Sequence, residues 1–191
     1  MYAKEMVKQS LPLIIFCGLG AIVAGSTLSL MTNLFQTIPG LIVVIPAIIA
    51  MRGNISTALG SRLGSAYHLG AIDKDNLWND ELKQNVIGSL VLSFLVSFII
   101  GILAYISTII FFRNLITIPL SVLAIKLILI VLIAGLLSGL ILTFMTIGII
   151  YLVFRHGYDP DNITGPALAT FGDMISMACI FISAILMGGI L

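Results

Sequence analysis

Residues 159–177 read DPDNITGPALATFGDMISM, and the acid near the end of this stretch, Asp173, stands in an otherwise uncharged segment. The eleven positions before Asp173 carry no charge, and no charged residue follows it up to Leu191. An apolar segment of about 20 residues is long enough to cross a bilayer. A carboxylate about 12 Å along such a helix from Gly165 is costly unless it is paired or hydrated. The stretch therefore predicts a membrane helix that holds one deep acid.

The composition of the whole chain also indicates a membrane protein. Of its 191 residues, 60% are hydrophobic and 9% are charged, whereas a soluble domain carries about 25% charged residues. The net charge of +1 offers no basic surface for nucleic acid. Cys17 and Cys179 lie in apolar runs without a CxxC motif, so disulfide, zinc and redox roles are weak interpretations. The sequence shows no nucleophile–base pair or Walker loop, and we do not expect an enzyme.

Working outward from the last segment, hydropathy predicts five spans in a single membrane domain, residues 1–191. The spans cover about 11–31, 39–69, 86–112, 127–154 and 165–191. The first span lacks a cleavage-site pattern and is too long for a signal peptide, so we expect it to be retained. The piece NLITIPLSVLAIK either lies along the interface or extends the fourth helix. Asp161 or Asn162 is expected to cap the last helix, and Asp159 is either solvated or part of a weak cation site.

The distribution of basic residues predicts the orientation. With a cytoplasmic N-terminus, two basic residues, Arg113 and Lys126, fall outside the cell. Seven fall on the cytoplasmic side: Lys4, Lys8, Arg52, Arg62, Lys74, Lys83 and Arg155. This bias favours a cytoplasmic N-terminus and, after five spans, an external C-terminus. We therefore expect a multi-pass protein of the plasma membrane.

The second span is unusual because only the 13 residues Pro39–Met51 precede Arg52. They reach about 20 Å, short of the ~30 Å hydrocarbon core, so we expect the helix to continue through Arg52, which would snorkel to the interface. His68 is expected to be an interfacial residue rather than a ligand. One helical face beyond Arg52 carries polar residues, namely Asn54, Thr57, Ser61 and Ser65. Either this part of the helix is simply hydrated, or it lines a path with an aqueous vestibule at its cytoplasmic half.

Small residues recur every four positions in the third and fourth spans. They are Ser89, Ser93, Ser97 and Gly101 in the third span, and Gly135 and Gly139 in the fourth. Such faces let membrane helices approach closely. The spacing predicts helix packing, and one of these faces is a candidate for the contact between subunits.

Asp173 itself has two interpretations. In the structural one it pairs with Arg52 or with hydroxyls of the second span. In the functional one it binds a cation, and Thr170 and Ser176 lie near the same helical face. One carboxylate balances half the charge of a divalent ion, whereas two copies at a two-fold axis balance all of it. Mg²⁺ sheds water reluctantly and prefers few carboxylates, so a sparse site of this kind fits a hydrated Mg²⁺.

Two motifs resemble the MgtE magnesium channels and the related solute carrier family 41. The family pattern DPxxxxGPxxxxxxD before and within the last helix is matched by Asp159, Pro160, Gly165, Pro166 and Asp173. The stretch IPAIIAMRGNISTALGSRLGSAYHLG is similar to the second-helix motif of the family. Its matching residues are Gly53, Asn54, Ser61 and Arg62, and the match is closer to the solute-carrier branch.

The resemblance implies an all-α, five-helix transport domain that works as a homodimer, with an ion path along the dimer axis in the bilayer. It implies that Asp173 binds the transported ion, Mg²⁺ or also Mn²⁺, and that other polar groups of the second and last helices line the path. These are Asn54, Thr57, Thr170 and Ser176. MgtE proteins carry large cytoplasmic sensing domains, and solute-carrier members often fuse two halves. We expect neither here.

Two other functions stay open at the level of sequence. Asp173 could serve as the coupling site of a proton- or Na⁺-linked transporter of another solute. Alternatively, the chain could be a membrane assembly subunit that transports nothing and uses Asp173 as a buried pairing acid.

Overall fold

A computed structural model describes residues 2–72, 78–156 and 160–190, and in these ranges the chain is helical. The α-helices are α1 (Tyr2–Leu30), α2 (Thr32–Thr37), α3 (Leu41–His68), α4 (Asp80–Phe111), α5 (Leu120–Arg155) and α6 (Pro160–Ile190). Segments long and apolar enough to cross a membrane are Leu41–His68, Asp80–Phe111, Leu120–Arg155 and Ile163–Gly188. A shorter apolar stretch, Ile14–Leu30, belongs to α1. The all-helical membrane fold is therefore confirmed, with four long spans in the described part of the chain.

Helix α3 runs without interruption through Arg52 and on to His68, as the short apolar stretch before Arg52 predicts. Gly40 immediately precedes it with φ +87°, a conformation that other residues rarely adopt. A side chain at Gly40 would also collide with Thr108 of α4. This glycine therefore sets the point where α3 begins.

Four helices begin earlier than the apolar pattern predicts. Helix α1 begins at Tyr2 rather than near residue 11. Helix α4 begins at Asp80 rather than near residue 86, because the Asn79 side chain accepts a hydrogen bond from the Leu82 amide at 2.9 Å and caps the first turn. Helix α5 begins at Leu120, directly after Pro119, so the piece before the fourth span extends the helix only from Leu120 onward. Helix α6 begins at Pro160 rather than at residue 165.

The capping role expected of Asp161 or Asn162, and the position of Asp159, concern side chains outside the described residues. Lys126, which the sequence predicts on the outer side of the membrane, lies six residues after the start of α5 and is buried. Arg113 is exposed in a short 3-10 turn between α4 and α5.

The helices form a bundle in which α3, α5 and α6 pack against one another. Helix α4 packs on α3 and α5, while α1 packs on α6. In the described part of the chain, α1 contacts none of α3, α4 and α5. Helix α6 therefore has α1 on one flank and α3 on the other, and a cleft is left between these two helices.

The small-residue faces of α4 and α5 meet inside the chain. Ser93 and Ser97 are fully buried, and Gly135 and Gly139 of α5 face them directly. At Gly101 the α4 backbone comes so close to the backbone of α5 that no side chain would fit without a shift. The predicted close packing is confirmed. Because these faces are covered within one chain, they are not free for a contact between subunits.

Candidate cation site

Asp173 lies near the middle of α6, about 20 Å from Pro160 and about 25 Å from Ile190 along the helix axis. Its side chain is half-buried. Within the described ranges its carboxylate has no hydrogen bond, and the ion pair found there, Lys83 with Asp80 at 3.2 Å, is elsewhere. The structural interpretation named Arg52 or hydroxyls of the second span as partners, and in the described residues Asp173 pairs with neither.

The neighbours of Asp173 on α6 show which way it faces. Thr170 packs on α1, since a Cβ at Gly20 would come within 2.5 Å of the Thr170 methyl group. On the opposite flank Leu168 packs on α3, 3.1 Å from the Cβ position of Gly60. At 3.6 residues per turn, Asp173 lies between these two flanks. It therefore faces the cleft between α1 and α3, as does Ala169, which is exposed one turn earlier.

The packing of α3 on α6 fixes which part of α3 lies level with Asp173. Gly60 packs beside Thr164 and Leu168, whereas residues 41–51 of α3 share a hydrophobic core with residues 177–187 of α6. Residue numbers fall along α3 as they rise along α6, so the two helices are antiparallel. Asp173 comes between Leu168 and Met177 in sequence, and is therefore level with the α3 segment between Met51 and Gly60.

The other residues predicted for the site are spread around Asp173. Asn54 lies in the α3 segment level with it and is exposed. Thr57 lies in the same segment, half-buried, and its hydroxyl donates to the Gly53 carbonyl at 2.7 Å. The Thr170 hydroxyl donates to the Pro166 carbonyl at 3.1 Å.

Ser176 lies one turn after Asp173 on the side away from α1. It is fully buried, and its hydroxyl has no hydrogen-bond partner. Thr170 and Ser176 thus lie on opposite flanks of Asp173 rather than in one row with it.

A cavity of about 300 Å³ opens between α3, α5 and α6 toward the His68 end of α3. It is lined by Thr57, Gly60, Ser61, Gly64, Ser65, His68, Ile150, Thr164 and Gly165. The cavity thus takes up most of the polar face predicted on α3, although Asn54 and Asp173 are not part of its wall. Thr164 is a member that the sequence did not indicate. It is buried, and its hydroxyl has no hydrogen-bond partner.

Arg52 differs most from the expectation. It does not snorkel to an interface, because its side chain is 1% exposed and lies inside the bundle. A Cβ at position 139 of α5 would collide with Nη1 of this arginine, so Gly139 provides the space for it. Its Nε and Nη2 atoms have no hydrogen-bond partner.

His68 is exposed, as an interfacial residue should be, and meets the Phe154 ring edge-on with 5.3 Å between ring centroids.

The described residues contain no group of three or more His, Cys, Asp or Glu side chains that could hold a metal ion by themselves. A cation in the cleft would therefore meet the carboxylate of Asp173, hydroxyl and carbonyl oxygens, and water. Oxygen donors of this kind suit hard cations such as Mg²⁺ and Mn²⁺ and are poor ligands for soft metals.

These features define a multi-pass helical membrane protein with an acid in the middle of its last helix, unpaired among the described residues, and a hydroxyl-lined cavity. The chain belongs to the MgtE family of divalent cation transporters, whose family profile matches residues 45–183. It is 30% identical to solute carrier family 41 member 2 of Mus musculus and 29% identical to that of Homo sapiens. Each of these alignments covers 91% of this chain and 30% of the relative.

A more distant relative is solute carrier family 41 member 3 of Rattus norvegicus, 23% identical over 86% of this chain and 35% of the relative. The chain thus spans about a third of the length of the relatives it matches. The resemblance stated from the two sequence motifs is confirmed. Because the family is one of transporters, the expectation that the chain is not an enzyme is confirmed as well.

Proposed function

We propose that two copies of this chain form a homodimer that carries Mg²⁺, and also other divalent cations such as Mn²⁺, along the two-fold axis. The observation that carries the proposal is Asp173, a half-buried acid in the middle of α6 without a partner in the described part of the chain. It faces a cleft between α1 and α3 that the chain leaves uncovered. A second copy across this cleft would bring a second carboxylate, and the two together balance one divalent ion.

The donors near Asp173 favour a hydrated ion. Mg²⁺ keeps several of its waters and binds through one or two carboxylates. Asn54 and Thr57 lie level with Asp173 across the cleft, where a water of the hydration shell can reach them. In this proposal Thr170 and Ser176 border the path on the flanks of Asp173.

The cavity supports an aqueous vestibule at one end of the path. Six waters around an ion occupy about 180 Å³ at about 30 Å³ each, which fits within the cavity of about 300 Å³. Hydroxyls of Thr57, Ser61 and Ser65 provide oxygen atoms to which such waters can donate. Thr57 lies nearest to the level of Asp173 and would join the vestibule to the site.

We further propose a single domain of five spans over residues 1–191, in which α1 is the first span and the N-terminus is cytoplasmic. The cavity then opens to the cytoplasm, and the protein lies in the plasma membrane. Arg62 and Arg155 support this orientation, since both are exposed near the end of the bundle where the cavity opens. Basic residues near membrane helix ends prefer the cytoplasmic side.

Flux into liposomes tests the transport proposal. Purified protein, reconstituted with an internal Mg²⁺ indicator, should carry Mg²⁺ down its gradient, and Asp173→Asn should reduce the rate to that of empty liposomes. Asp80→Asn is the matched control, because Asp80 is an exposed acid outside the cleft, and it should keep the parental rate. Parental flux from Asp173→Asn would overturn the proposal.

The same assay separates the two other functions. Transport that depends on a Na⁺ or pH gradient and carries no divalent ion would indicate a coupled transporter of another solute. The absence of cation flux from the folded, reconstituted parent would indicate an assembly subunit.

Cross-linking tests the dimer. Ala169 lies on the face of Asp173 and is exposed, whereas Ala178 is exposed on a different face of α6. After Cys17 and Cys179 are replaced by alanine, Ala169→Cys should give a covalent dimer with a short bifunctional thiol reagent, and Ala178→Cys should not. An active monomer, or cross-links through Ala178→Cys alone, would contradict a two-fold axis at the cleft.

A further inference from the structure

Arg52 is a buried cation inside a protein that we propose carries cations. It lies about 16 Å along α3 from Leu41, is 1% exposed, and has two guanidinium nitrogens without a hydrogen-bond partner. An isolated charge in an apolar interior is unfavourable unless other charges compensate for it. The bundle nevertheless leaves room for this side chain, since a Cβ at Gly139 of α5 would collide with its Nη1 atom.

Three polar residues of α6, spaced three positions apart, run from the Asp173 face of this helix toward Arg52. The guanidinium lies within electrostatic range of Cys179. Cys179 follows Asp173 by six residues on α6, and Ser176 lies midway between them. Ser176 is fully buried, and its hydroxyl has no hydrogen-bond partner. At 3.6 residues per turn, each of these residues is displaced in the same direction around α6. The row therefore begins at Asp173 in the open cleft and ends at Cys179, which faces the buried arginine.

Arg52 and Asp173 are too far apart for an ion pair in the described structure, yet both lie at mid-depth on adjacent helices. Charges inside a membrane protein are poorly screened, so two charges on adjacent helices influence each other even beyond ion-pair distance. In a dimer the two arginines would balance the two carboxylates of the empty site. A divalent ion that binds there is attracted by the carboxylates and repelled by the arginines.

We infer that Arg52 sets the affinity of the cation site at Asp173, weakening it so that a bound divalent ion can leave. The inference rests on the proposed function. Conduction requires binding that is favourable enough for entry and weak enough for release. Arg52 does not touch the ion in this account. It is a positioning charge that acts on the site through its electric field.

The test is the Mg²⁺ concentration that gives half of the maximal thermal stabilisation of the purified protein, since an ion that binds the folded state raises its melting temperature. Arg52→Gln and Arg52→Met both remove the charge, and this concentration should fall by about tenfold or more in each. Arg52→Lys keeps the charge and should stay near the parent. Arg62→Gln is the matched control on the same helix, because Arg62 is exposed and its charge is screened by water.

Two neutral variants are used because one of them could fail to fold. Methionine is apolar and unbranched, and replacing a buried charge by an apolar residue of similar size is often neutral or stabilising. In liposomes both variants should also show slower Mg²⁺ flux at saturating Mg²⁺, because release is slowed. A purely structural role for Arg52 predicts unchanged or weaker Mg²⁺ binding instead.

Thermal stabilisation of Asp173→Asn by Mg²⁺ distinguishes a failure of this inference from a failure of the proposed function. If Asp173→Asn abolishes the stabilisation by Mg²⁺ while both neutral Arg52 variants leave the half-saturating concentration unchanged or higher, the inference is wrong and the cation site stands. If Asp173→Asn retains the full stabilisation, the proposed site is wrong, and the inference fails with it.

Discussion

Helices α3 and α4 each carry a stripe of small polar residues, and the fold uses the two stripes in opposite ways. On α4, Ser89, Ser93 and Ser97 are fully buried against neighbouring helices. On α3, Ser61 and Ser65 are exposed and line a cavity. Both stripes repeat at helical spacing. From the sequence we expect packing for the α4 stripe, and hydration or a path for the α3 stripe.

The neighbours of the glycines show what separates the two stripes. At Gly101 of α4 the backbone of Ile128 approaches to 2.9 Å of the Cβ position, whereas nothing lies within 4 Å of that position at Gly64 of α3. The small residues of α4 therefore serve close approach between helices. On α3, Gly60 packs on α6, whereas the part of the stripe around Gly64 leaves open space beside the helix. Spacing predicts a small polar face, and only the facing helix decides between packing and a path.

The largest contrast is expected in thiol labelling. In a background without Cys17 and Cys179, cysteine at Ser61 or Ser65 should react to completion with a small water-soluble thiol reagent. Cysteine at Ser93 should not react in the folded protein, because that position is fully buried. Comparable labelling of the α3 and α4 positions would break the comparison.

Labelling also sharpens the proposed path. Cysteine at Asn54 or Thr57 should react, and Mg²⁺ should slow the reaction if these positions share the path with Asp173. A reaction at Ser65 without any at Asn54 or Thr57 would favour a helix that is merely hydrated near its end.

A moderate effect is expected from Gly101→Ala. The added methyl group would meet the α5 backbone, and overpacking of this kind costs about 1–3 kcal/mol. The melting temperature measured in EDTA should fall clearly below that of the parent. An unchanged melting temperature would show that α4 and α5 are not in close contact at this level.

A small effect of opposite sign is expected from Gly64→Ala. Open space surrounds this position, and alanine in a helix is favoured over glycine by about 0.5–1 kcal/mol. The melting temperature should stay the same or rise slightly. A fall as large as that of Gly101→Ala would mean that the α3 stripe packs as tightly as the α4 stripe does.

Local signals in the sequence account for much of the fold. The continuation of α3 through Arg52 follows from the length of the apolar run and the period of the polar residues after it. The sequence also contains the signal for the early start of α4, since Asn79 followed by Asp80 and Glu81 is a typical helix start. Hydropathy misses such turns because they are polar, and it therefore places helix starts too late.

Contacts between distant segments could not be predicted in the same way. Arg52 is buried because Gly139, on another helix, leaves space for it. Thr170 and Ser176 lie three residues on either side of Asp173, so one turns toward α1 and the other into the bundle. Which of them borders a path depends on where α1 and α3 pack, and the sequence of α6 does not contain that information.

The cation site at Asp173 is tested most directly by a crystal structure of the protein soaked in Mn²⁺, an ion that takes the same oxygen ligands as Mg²⁺ and is visible by anomalous scattering. The account predicts one anomalous peak on the two-fold axis of a dimer, between the two Asp173 carboxylates, and no such peak in Asp173→Asn. Ordered Mn²⁺ elsewhere in the membrane region, with the Asp173 cleft empty or turned to lipid, would contradict it.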